Sequence, residues 1–155
     1  MAEAILRGVL AADLAKADDI SVGEPVPERC RFLSKEYGVR VSGDNLQVVR
    51  QADLVLFAVK PQDLAVAMGQ LHHRLTEEQS ALSIVAGARM STLTKGLGHA
   101  SIIRVMPNTP AQIGCGMSLW TCSEEVSQTQ RDLTQAILGT VGVEVYVAEE
   151  KYLDM

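Results

Sequence analysis

Residues 53–63 read DLVLFAVKPQD, and this stretch decides the fold of the chain. Asp53 to Val59 form a nearly continuous apolar run of strand length, which is typical of a strand covered by helices on both faces. Pro61 then stands at the first position of a predicted helix, where its missing N–H costs no hydrogen bond. The apolar residues of that helix recur at helical spacing, at Leu64, Met68, Leu71 and Leu75. The stretch therefore predicts a buried parallel strand that leads into an amphipathic helix.

Helix and strand patterns alternate on both sides of this stretch. Helical periodicity predicts helices at residues 2–12, 27–37, 45–51 and 91–97, and a long helix with Ser123 as its N-cap and Val126, Leu133 and Ile137 on its buried side. Short apolar runs predict strands at residues 19–23, 39–41, 81–85, 101–106, 117–121 and 143–147. Such alternation indicates a doubly wound, mostly parallel α/β sheet with helices on both faces. Ligands of these sheets bind at the carboxyl ends of the strands, so the loops that follow the strands are the candidate sites.

Composition and charge argue against several classes of protein. The 155 residues suit one domain, and a net charge of -5 without any basic run argues against a nucleic-acid surface. The longest apolar stretch, Leu54 to Val59, is far shorter than the ~20 residues that cross a bilayer. Cys30, Cys115 and Cys122 are odd in number and widely spaced, which fits free thiols in a reducing compartment and therefore the cytoplasm.

Two loops after predicted strands carry the strongest candidate residues. Residues 58–61 (AVKP) place a helix start and its free amides above the sheet edge, where a ribose or a phosphate would fit. Residues 104–110 (RVMPNTP) form a stiff loop in which two prolines bracket Asn108 and Thr109, and such a loop can hold a flat cofactor ring at little entropic cost. The alternatives are a solvated loop around Lys60 and an ordinary proline-rich turn.

Two more polar residues follow predicted strands. Glu24 comes just past the strand at 19–23, where dinucleotide folds place an acidic residue that accepts hydrogen bonds from the adenosine ribose hydroxyls. Because a carboxylate there repels a 2′-phosphate, Glu24 favours NADH; an exposed turn carboxylate is the alternative. Asn45 begins the next helix, and its simplest role is that of an N-cap.

Other chemistries lack support in the sequence. His72, His73 and His99 have no partner at metal-ligand spacing, and the cysteines form no C-x-x-C pair. The chain contains neither G-x-S-x-G nor a Walker-type glycine loop, so nucleophile-elbow hydrolysis and P-loop phosphate chemistry are unsupported. Cys115 lies between two glycines with nothing nearby to activate its thiol, so we predict no catalytic cysteine.

Taken together, these segments resemble pyrroline-5-carboxylate reductase along essentially the whole chain. The matching segments, in order, are Met1-Ala2-Glu3-Ala4-Ile5 with Gly8, Glu24-Pro25, Glu28-Arg29, Asp44-Asn45, residues 58–62, Ala86-Gly87, residues 104–110, Val141-Gly142 and Leu153-Asp154. Each segment alone is weak evidence for the family, but AVKP at residues 58–61 followed by RVMPNTP at residues 104–110 is a specific combination.

The resemblance implies reduction of the cyclic imine 1-pyrroline-5-carboxylate to L-proline with a hydride from NADPH or NADH. The residues implied to line the cofactor are Met1 and Ala2 at the phosphate turn, Glu24 at the adenosine ribose, Asn45 near the adenine, Ala58, Val59, Lys60 and Pro61 along the cofactor, and Ala86 and Asn108 at the nicotinamide. No catalytic side chain and no metal are expected in this domain, because its task is to hold two reactants together and exclude water.

The chain departs from this family at both ends. The family's opening strand and G-x-G-N turn do not precede Met1, so the expected Rossmann-like sheet lacks its central strand and the amides that bind the pyrophosphate. We predict a dinucleotide-binding domain at 1–148 and, at 149–155, the start of a helical domain that in the family forms the dimer and contacts the imino acid. The chain alone is therefore expected to be inactive, and a homo-oligomer is expected only for a full-length protein. A non-catalytic nucleotide-binding remnant and a dehydrogenase of the 3-hydroxyacid or prephenate kind remain the alternatives.

Overall fold

The computed structural model describes residues 1–154, whose helices and strands alternate as the sequence predicts. The strands are β1 (Ser21–Gly23), β2 (Arg40–Ser42), β3 (Leu54–Phe57), β4 (Ser80–Ser83), β5 (Ile102–Pro107), β6 (Gly116–Cys122) and β7 (Gly142–Tyr146). The α-helices are α1 (Ala2–Ala11), α2 (Pro27–Tyr37), α3 (Asn45–Val49), α4 (Leu64–Leu71), α5 (Met90–Leu97) and α6 (Gln128–Gly139). Short 3-10 helices lie at Ala17–Asp19, Pro61–Asp63, Thr109–Ile113 and Glu150–Asp154. Within residues 1–154, no helix has both the length and the apolar character needed to cross a membrane.

The strands form a five-stranded sheet and a separate two-stranded sheet. The larger sheet has the order β3-β4-β5-β6-β7, in which β6 runs antiparallel to β5 and every other neighbouring pair is parallel. The smaller sheet consists of β1 and β2, also parallel. The predicted mostly parallel α/β architecture is therefore confirmed.

The two sheets are joined by packing rather than by backbone hydrogen bonds. Among the described residues β1 pairs only with β2, and β3 pairs with β4 alone, so each has one edge without a neighbouring strand. Ile20, directly before β1, and Leu56 in β3 both contact the apolar cluster of α1 around Ile5 and Val9. Helix α1 therefore packs against residues of both sheets and joins them.

Helices cover both faces of the larger sheet. On one face, Leu64 of α4 and Leu93 of α5 belong to the same cluster as Phe57, Ala81 and Ile102 of β3, β4 and β5. The apolar positions predicted for the helix after β3 are confirmed, since Leu64, Met68 and Leu71 are buried and Leu75 is partly buried in that cluster. The opposite face packs against α1 and α6.

The predicted start of the long helix at Ser123 is wrong. Helix α6 begins after Ser127, whose hydroxyl accepts a hydrogen bond from the Gln130 amide while the Gln130 side chain accepts one from the Ser127 amide. Ser123 instead donates to the Ala100 carbonyl and accepts from the Ile102 amide. Both serines fit a cap pattern, but Ser123 is held at the start of β5 by contacts that are distant in sequence.

The buried side of α6 also differs from the prediction. Thr134 and Leu138 are buried, whereas Leu133 and Ile137 are only partly buried. The Thr134 hydroxyl donates to the Gln130 carbonyl at 2.8 Å, so this polar residue is satisfied inside the helix and can face the sheet. The pattern of apolar residues does not indicate this hydrogen bond, and therefore it could not predict that Thr134 is buried.

Ser80 is a buried hydroxyl whose Oγ has no hydrogen-bond partner among the described residues. Because an unsatisfied buried polar group costs roughly 1–3 kcal/mol, we expect Ser80→Ala to raise the free energy of unfolding by about 1 kcal/mol. The matched control in the same strand is Ser83→Ala, since Ser83 Oγ accepts from the Val85 amide and its loss should destabilise. Urea titration measures both changes, and a destabilising Ser80→Ala would contradict this interpretation.

Candidate functional site

Three loops emerge side by side along one edge of the larger sheet. Phe57 at the end of β3 is level with Ser83 of β4, which in turn is level with Arg104 of β5. Because these three strands are parallel and adjacent, the residues that follow them share one edge. We call this edge the rim and define it as residues 58–61, 86–87 and 107–110.

The first loop of the rim presents an uncapped helix start. Pro61 is the first residue of the 3-10 helix, and the Asp63 amide donates to the Lys60 carbonyl at 2.9 Å. Lys60 is extended and caps nothing with its side chain. Val59, Lys60 and Pro61 are exposed, and Ala58 is half-buried. The α-helix begins three residues later than Pro61, at Leu64, so a 3-10 turn forms the predicted helix start.

The second loop of the rim is an open turn after β4. Gly87 has a positive φ of 75°, and a Cβ added there would meet no atom within 4 Å. The Ala88 amide donates to the Val85 carbonyl at 3.2 Å and closes the turn. Ala86 and Gly87 are both exposed, so their backbone is free to contact a ligand. The sequence pointed to Ala86 but not to the backbone conformation of Gly87.

Asn108 is anchored to the neighbouring strand through Met117. Its amide donates to the Met117 carbonyl at 3.1 Å, and its side-chain Oδ1 accepts from the Met117 amide at 2.8 Å. The Asn108 carbonyl accepts from the Ala111 amide, which starts the 3-10 helix Thr109–Ile113. Among residues 1–154 the side-chain Nδ2 of Asn108 has no hydrogen-bond partner, so it remains a donor at the rim.

Met1 and Ala2 lie beside the Asn108 loop. Met1 precedes α1, and its carbonyl accepts from the Ala4 and Ile5 amides, while no side chain caps the helix. Helix α1 packs on Ala111 of the 3-10 helix after Asn108. A further contact joins the two elements: Arg7 Nη2 donates to the Gln112 carbonyl at 3.0 Å. The structure thus brings the start of α1 towards the third loop of the rim.

Glu24 lies at the end of the smaller sheet. Its amide donates to the Ser42 carbonyl, and its Oε1 accepts from the Val26 amide at 3.0 Å. One carboxylate oxygen therefore closes a turn before α2, while the residue remains half-buried.

Asn45 does not cap α3, so that prediction is wrong. Asp44 is the N-cap, and its Oδ1 accepts from the Leu46 amide at 2.9 Å. Asn45 Nδ2 instead donates to Gln70 Oε1 at 2.6 Å. A Cβ added at Gly23 would collide with the Asn45 side chain, which places Asn45 against the end of β1. Glu24 and Asn45 therefore share the end of the smaller sheet, and among residues 1–154 no strand pairing joins that sheet to the larger sheet that carries the rim.

Glu3 ties the first turn of α1 to α2. Its carboxylate accepts from Tyr37 Oη at 2.5 Å and from Arg29 Nη2 at 2.9 Å. The hydrogen bond from Tyr37, with a second contribution from Arg29, holds the pKa of Glu3 below its ordinary value. The same contact raises the pKa of Tyr37.

The contact at Glu3 predicts a pH-dependent stability. A carboxyl whose pKa is lowered by folding stabilises the protein above its ordinary pKa and loses this effect as the pH falls through the lowered pKa. We expect Glu3→Gln to reduce the free energy of unfolding by about 1 kcal/mol at neutral pH and by less in acid. Glu36→Gln, which removes an exposed carboxylate without an ion pair, is the control. Equal effects at both pH values would contradict the assignment.

A recess of about 270 Å³ lies away from the rim. It is lined by Leu46, Val49, Arg50, Arg74, Thr76 and Gln79. It contains none of the predicted site residues. Gln79 is engaged in hydrogen bonds with the Val49 and Ala52 carbonyls, so the recess offers no free buried polar group. In the described part of the chain, His, Cys, Asp and Glu side chains do not form a group of three that could hold a metal ion.

Comparisons with known proteins agree with this geometry. The family model described as NADP oxidoreductase coenzyme F420-dependent matches residues 1–87. The pyrroline-5-carboxylate reductase of Synechocystis sp. is 38% identical over 149 residues, which cover 96% of this chain and 55% of that protein. The enzyme of the same name from Arabidopsis thaliana is 31% identical over 154 residues, which cover 99% of this chain and 55% of that protein. The chain therefore spans about half the length of these relatives.

A solved structure of a protein with the same name has the same fold as this chain. The pyrroline-5-carboxylate reductase of Coxiella burnetii superposes with a TM-score of 0.93 at 29% identity, covering 99% of this chain and 57% of that one. The predicted Rossmann-like fold is confirmed. The resemblance in sequence to the first half of pyrroline-5-carboxylate reductases is confirmed as well.

Proposed function

The chain belongs to the NADP oxidoreductase, coenzyme F420-dependent, family, and we propose that it is the cofactor-binding part of a pyrroline-5-carboxylate reductase. In this proposal a full-length protein reduces 1-pyrroline-5-carboxylate to L-proline in the cytoplasm with NADPH or NADH. The observation that carries it is the convergence of residues 58–61, 86–87 and 107–110 on one rim. The match to the named relatives over nearly the whole chain supports the choice of substrate.

The residues of the rim fit an extended dinucleotide. The exposed backbone at Lys60 and Gly87 leaves room for a ligand to lie flat along the strand ends. Asn108 Nδ2 offers a donor that is already fixed in place, because Oδ1 of the same amide is held by Met117. Pre-organised donors bind with a smaller entropic cost than mobile ones.

The proposed reaction requires no catalytic side chain in this part of the protein. When bound, the reduced nicotinamide supplies the hydride. Residues 58–61, Ala86 and Asn108 would orient the cofactor and shield it from water, and such positioning makes a large contribution to rate. The imino acid and the dimer contacts are assigned to a second, helical domain that begins at residues 149–155 and follows the cofactor domain at 1–148.

The interrupted sheet supports a further part of the proposal. Strands β1 and β3 each have an edge without a partner among residues 1–154, and α1 contacts residues next to both. One more parallel strand, leading through a glycine turn into Met1 and Ala2, would pair with both edges and supply amides for a pyrophosphate. A Rossmann-like sheet continuous across this position would then connect Glu24 and Asn45 to the rim.

The test is a chimera in which residues 1–154 replace the matching part of the Synechocystis enzyme. We expect the chimera to oxidise NADPH or NADH in a manner dependent on pyrroline-5-carboxylate, while the 155-residue chain alone shows no turnover. The unaltered Synechocystis enzyme is the positive control. A folded chimera without this activity would favour the alternative of a non-catalytic remnant, and turnover by the chain alone would contradict the proposal.

Glu24 gives a prediction about the choice of cofactor. A carboxylate beside the adenosine ribose repels a 2′-phosphate, so Glu24→Ser in the chimera should raise the preference for NADPH over NADH roughly tenfold, about 1.4 kcal/mol. Glu28→Ser, an exposed carboxylate in the following helix, is the control and should leave the preference unchanged. Steady-state kcat/KM values with both cofactors measure the ratio. An unchanged ratio in Glu24→Ser would remove Glu24 from the cofactor site.

A further inference from the structure

The side-chain amide of Asn45 is held in one orientation by a residue of α4. Its Nδ2 donates to Gln70 Oε1 at 2.6 Å, so the amide nitrogen points towards α4. Its Oδ1 points the other way and occupies the space above Gly23, where an added Cβ would collide with it. Because Asp44 caps α3, the Asn45 amide has no part in ending the helix and is available for another role.

The orientation of this amide decides what the smaller sheet offers to a ligand. Gly23 is the last residue of β1, and ligands of parallel α/β sheets bind beyond the carboxyl ends of the strands. The oxygen of an amide accepts hydrogen bonds, whereas its nitrogen donates two. Adenosine carries donors, namely the ribose hydroxyls and the amino group of the base. An Asn45 amide with Oδ1 above Gly23 therefore complements adenosine, and the reversed amide would not.

Gln70 stands on a helix whose position is fixed by packing. The next residue, Leu71, is only 3% exposed and belongs to the same apolar cluster as Val49 of α3. This cluster holds α3, which carries Asn45, against α4, which carries Gln70. The Gln70 side chain itself is exposed, so its substitution removes the hydrogen bond to Asn45 without opening a cavity in the core.

We propose that Gln70 is a positioning residue for the cofactor, which fixes the amide of Asn45 so that Oδ1 accepts a hydrogen bond from the adenosine half. This inference rests on the proposed function for the identity of the cofactor, and it assigns a role to a residue outside the rim. The adenosine half lies far from the carbon that gives up the hydride, so it is bound equally in the ground state and the transition state. Loss of such a contact raises KM and leaves kcat unchanged.

Two substitutions of Gln70 in the Synechocystis chimera test the role of its acceptor oxygen. Gln70→Met keeps the length of the side chain and removes the acceptor, so it should raise the KM for NADH roughly fivefold at unchanged kcat. Gln70→Glu keeps an acceptor oxygen, so its KM should stay within about twofold of the unaltered chimera. Gln128→Met, at an exposed glutamine of α6, is the control and should change neither constant. An unchanged KM or a lowered kcat in Gln70→Met would overturn the proposal.

A second test asks whether Gln70 acts through Asn45 and on adenosine. Reduced nicotinamide mononucleotide lacks adenosine, so Gln70→Met should not alter its KM. In an Asn45→Ala background, Gln70→Met should add no further loss, because the two residues act as a unit. Equal losses with the mononucleotide, or additive losses in the double variant, would overturn the proposal. Reduced nicotinamide hypoxanthine dinucleotide, which lacks the amino group, distinguishes the donors: an effect that disappears assigns the base, one that persists assigns the ribose, and both support the proposal.

Binding of ADP-ribose, measured by calorimetry, separates this inference from the proposed function because it requires no turnover. A chimera that binds ADP-ribose roughly fivefold more weakly after Gln70→Met, yet does not reduce pyrroline-5-carboxylate, keeps the positioning role and overturns the function. An active chimera in which Gln70→Met changes neither the KM for NADH nor the affinity for ADP-ribose does the reverse. A folded chimera that binds no ADP-ribose overturns both.

Discussion

Replacing Arg104 by alanine is expected to lower the free energy of unfolding by about 3 kcal/mol, because it leaves a cavity where a fully buried side chain packed and removes two charge-assisted hydrogen bonds. The guanidinium is 1% exposed and binds the carboxylates of Glu150 and Asp154. Glu150 Oε1 also accepts from the Met90 amide at 2.7 Å, so the same network reaches the start of α5. The substitution would therefore loosen β5, α5 and the last 3-10 helix together.

The exposed ion pair between Lys151 and Glu149 is the matched control for Arg104. Its atoms are 2.7 Å apart, but both side chains are more than half exposed, and Lys151→Ala should change stability by less than about 0.5 kcal/mol. Arg104→Met keeps most of the side-chain volume, so the stability that it loses should lie between the losses caused by Arg104→Ala and by Lys151→Ala. Urea unfolding at neutral pH measures all three, and an effect of Arg104→Ala as small as that of Lys151→Ala would contradict the assignment.

The Arg104 network also predicts the direction of an acid effect. The hydrogen bond from Arg104 holds the pKa of Asp154 below its ordinary value. This carboxyl therefore stabilises the fold above its ordinary pKa, and its contribution is lost as the pH falls through the lowered pKa. In Arg104→Ala, stability should consequently depend less on pH in the acid range than in the unaltered chain.

Gly142→Ala is expected to be the second strongly destabilising change, at about 3–5 kcal/mol from backbone strain and overpacking together. Gly142 has φ of 143°, and a Cβ there would collide with the carbonyl of Gly116 across the β6–β7 pair. Neither strand can move away easily, because a Cβ at Gly116 would itself lie 2.6 Å from Ala111. This close packing sets the position of the 3-10 helix after Asn108.

Gly139→Ala is the control for this prediction. A Cβ at Gly139 meets no atom within 4 Å, and the residue ends α6, so alanine should be neutral or stabilise by up to about 1 kcal/mol. Thermal and urea unfolding of both variants give the comparison. A Gly142→Ala protein as stable as Gly139→Ala would show that the contact between β6 and β7 is not tight.

The fold could be predicted from the sequence wherever a local pattern coincides with burial. The strand at 54–57 and the helix after it could be located from the sequence. A strand buried on both faces is a continuous apolar run, and a helix with one buried side has apolar residues at three- and four-residue spacing. The rim followed from that alternation, since parallel strands place their ends together. Its loops 58–61, 86–87 and 107–110 are adjacent as expected.

What escaped prediction depends on partners far away in the sequence. Asn108 is held by Met117 through an antiparallel pairing that no local pattern indicates. Asp44 and Asn45 are equally good N-caps by residue type, and the contact with Gln70 decides between them. Arg104 is buried with hydrogen bonds to two carboxylates that lie more than forty residues later in the chain. Residues 104–110 alone therefore do not indicate that Arg104 holds the last 3-10 helix.

Amide hydrogen exchange of the Synechocystis chimera, with and without NADPH, tests the central claim most directly. That claim is that the rim of this chain binds the nicotinamide nucleotide. We predict that NADPH slows exchange in the segments around Lys60, Gly87 and Asn108, and leaves the recess around Arg50 and Arg74 unchanged. Slowed exchange confined to that recess, or no change at the rim while NADPH is bound, would contradict the account.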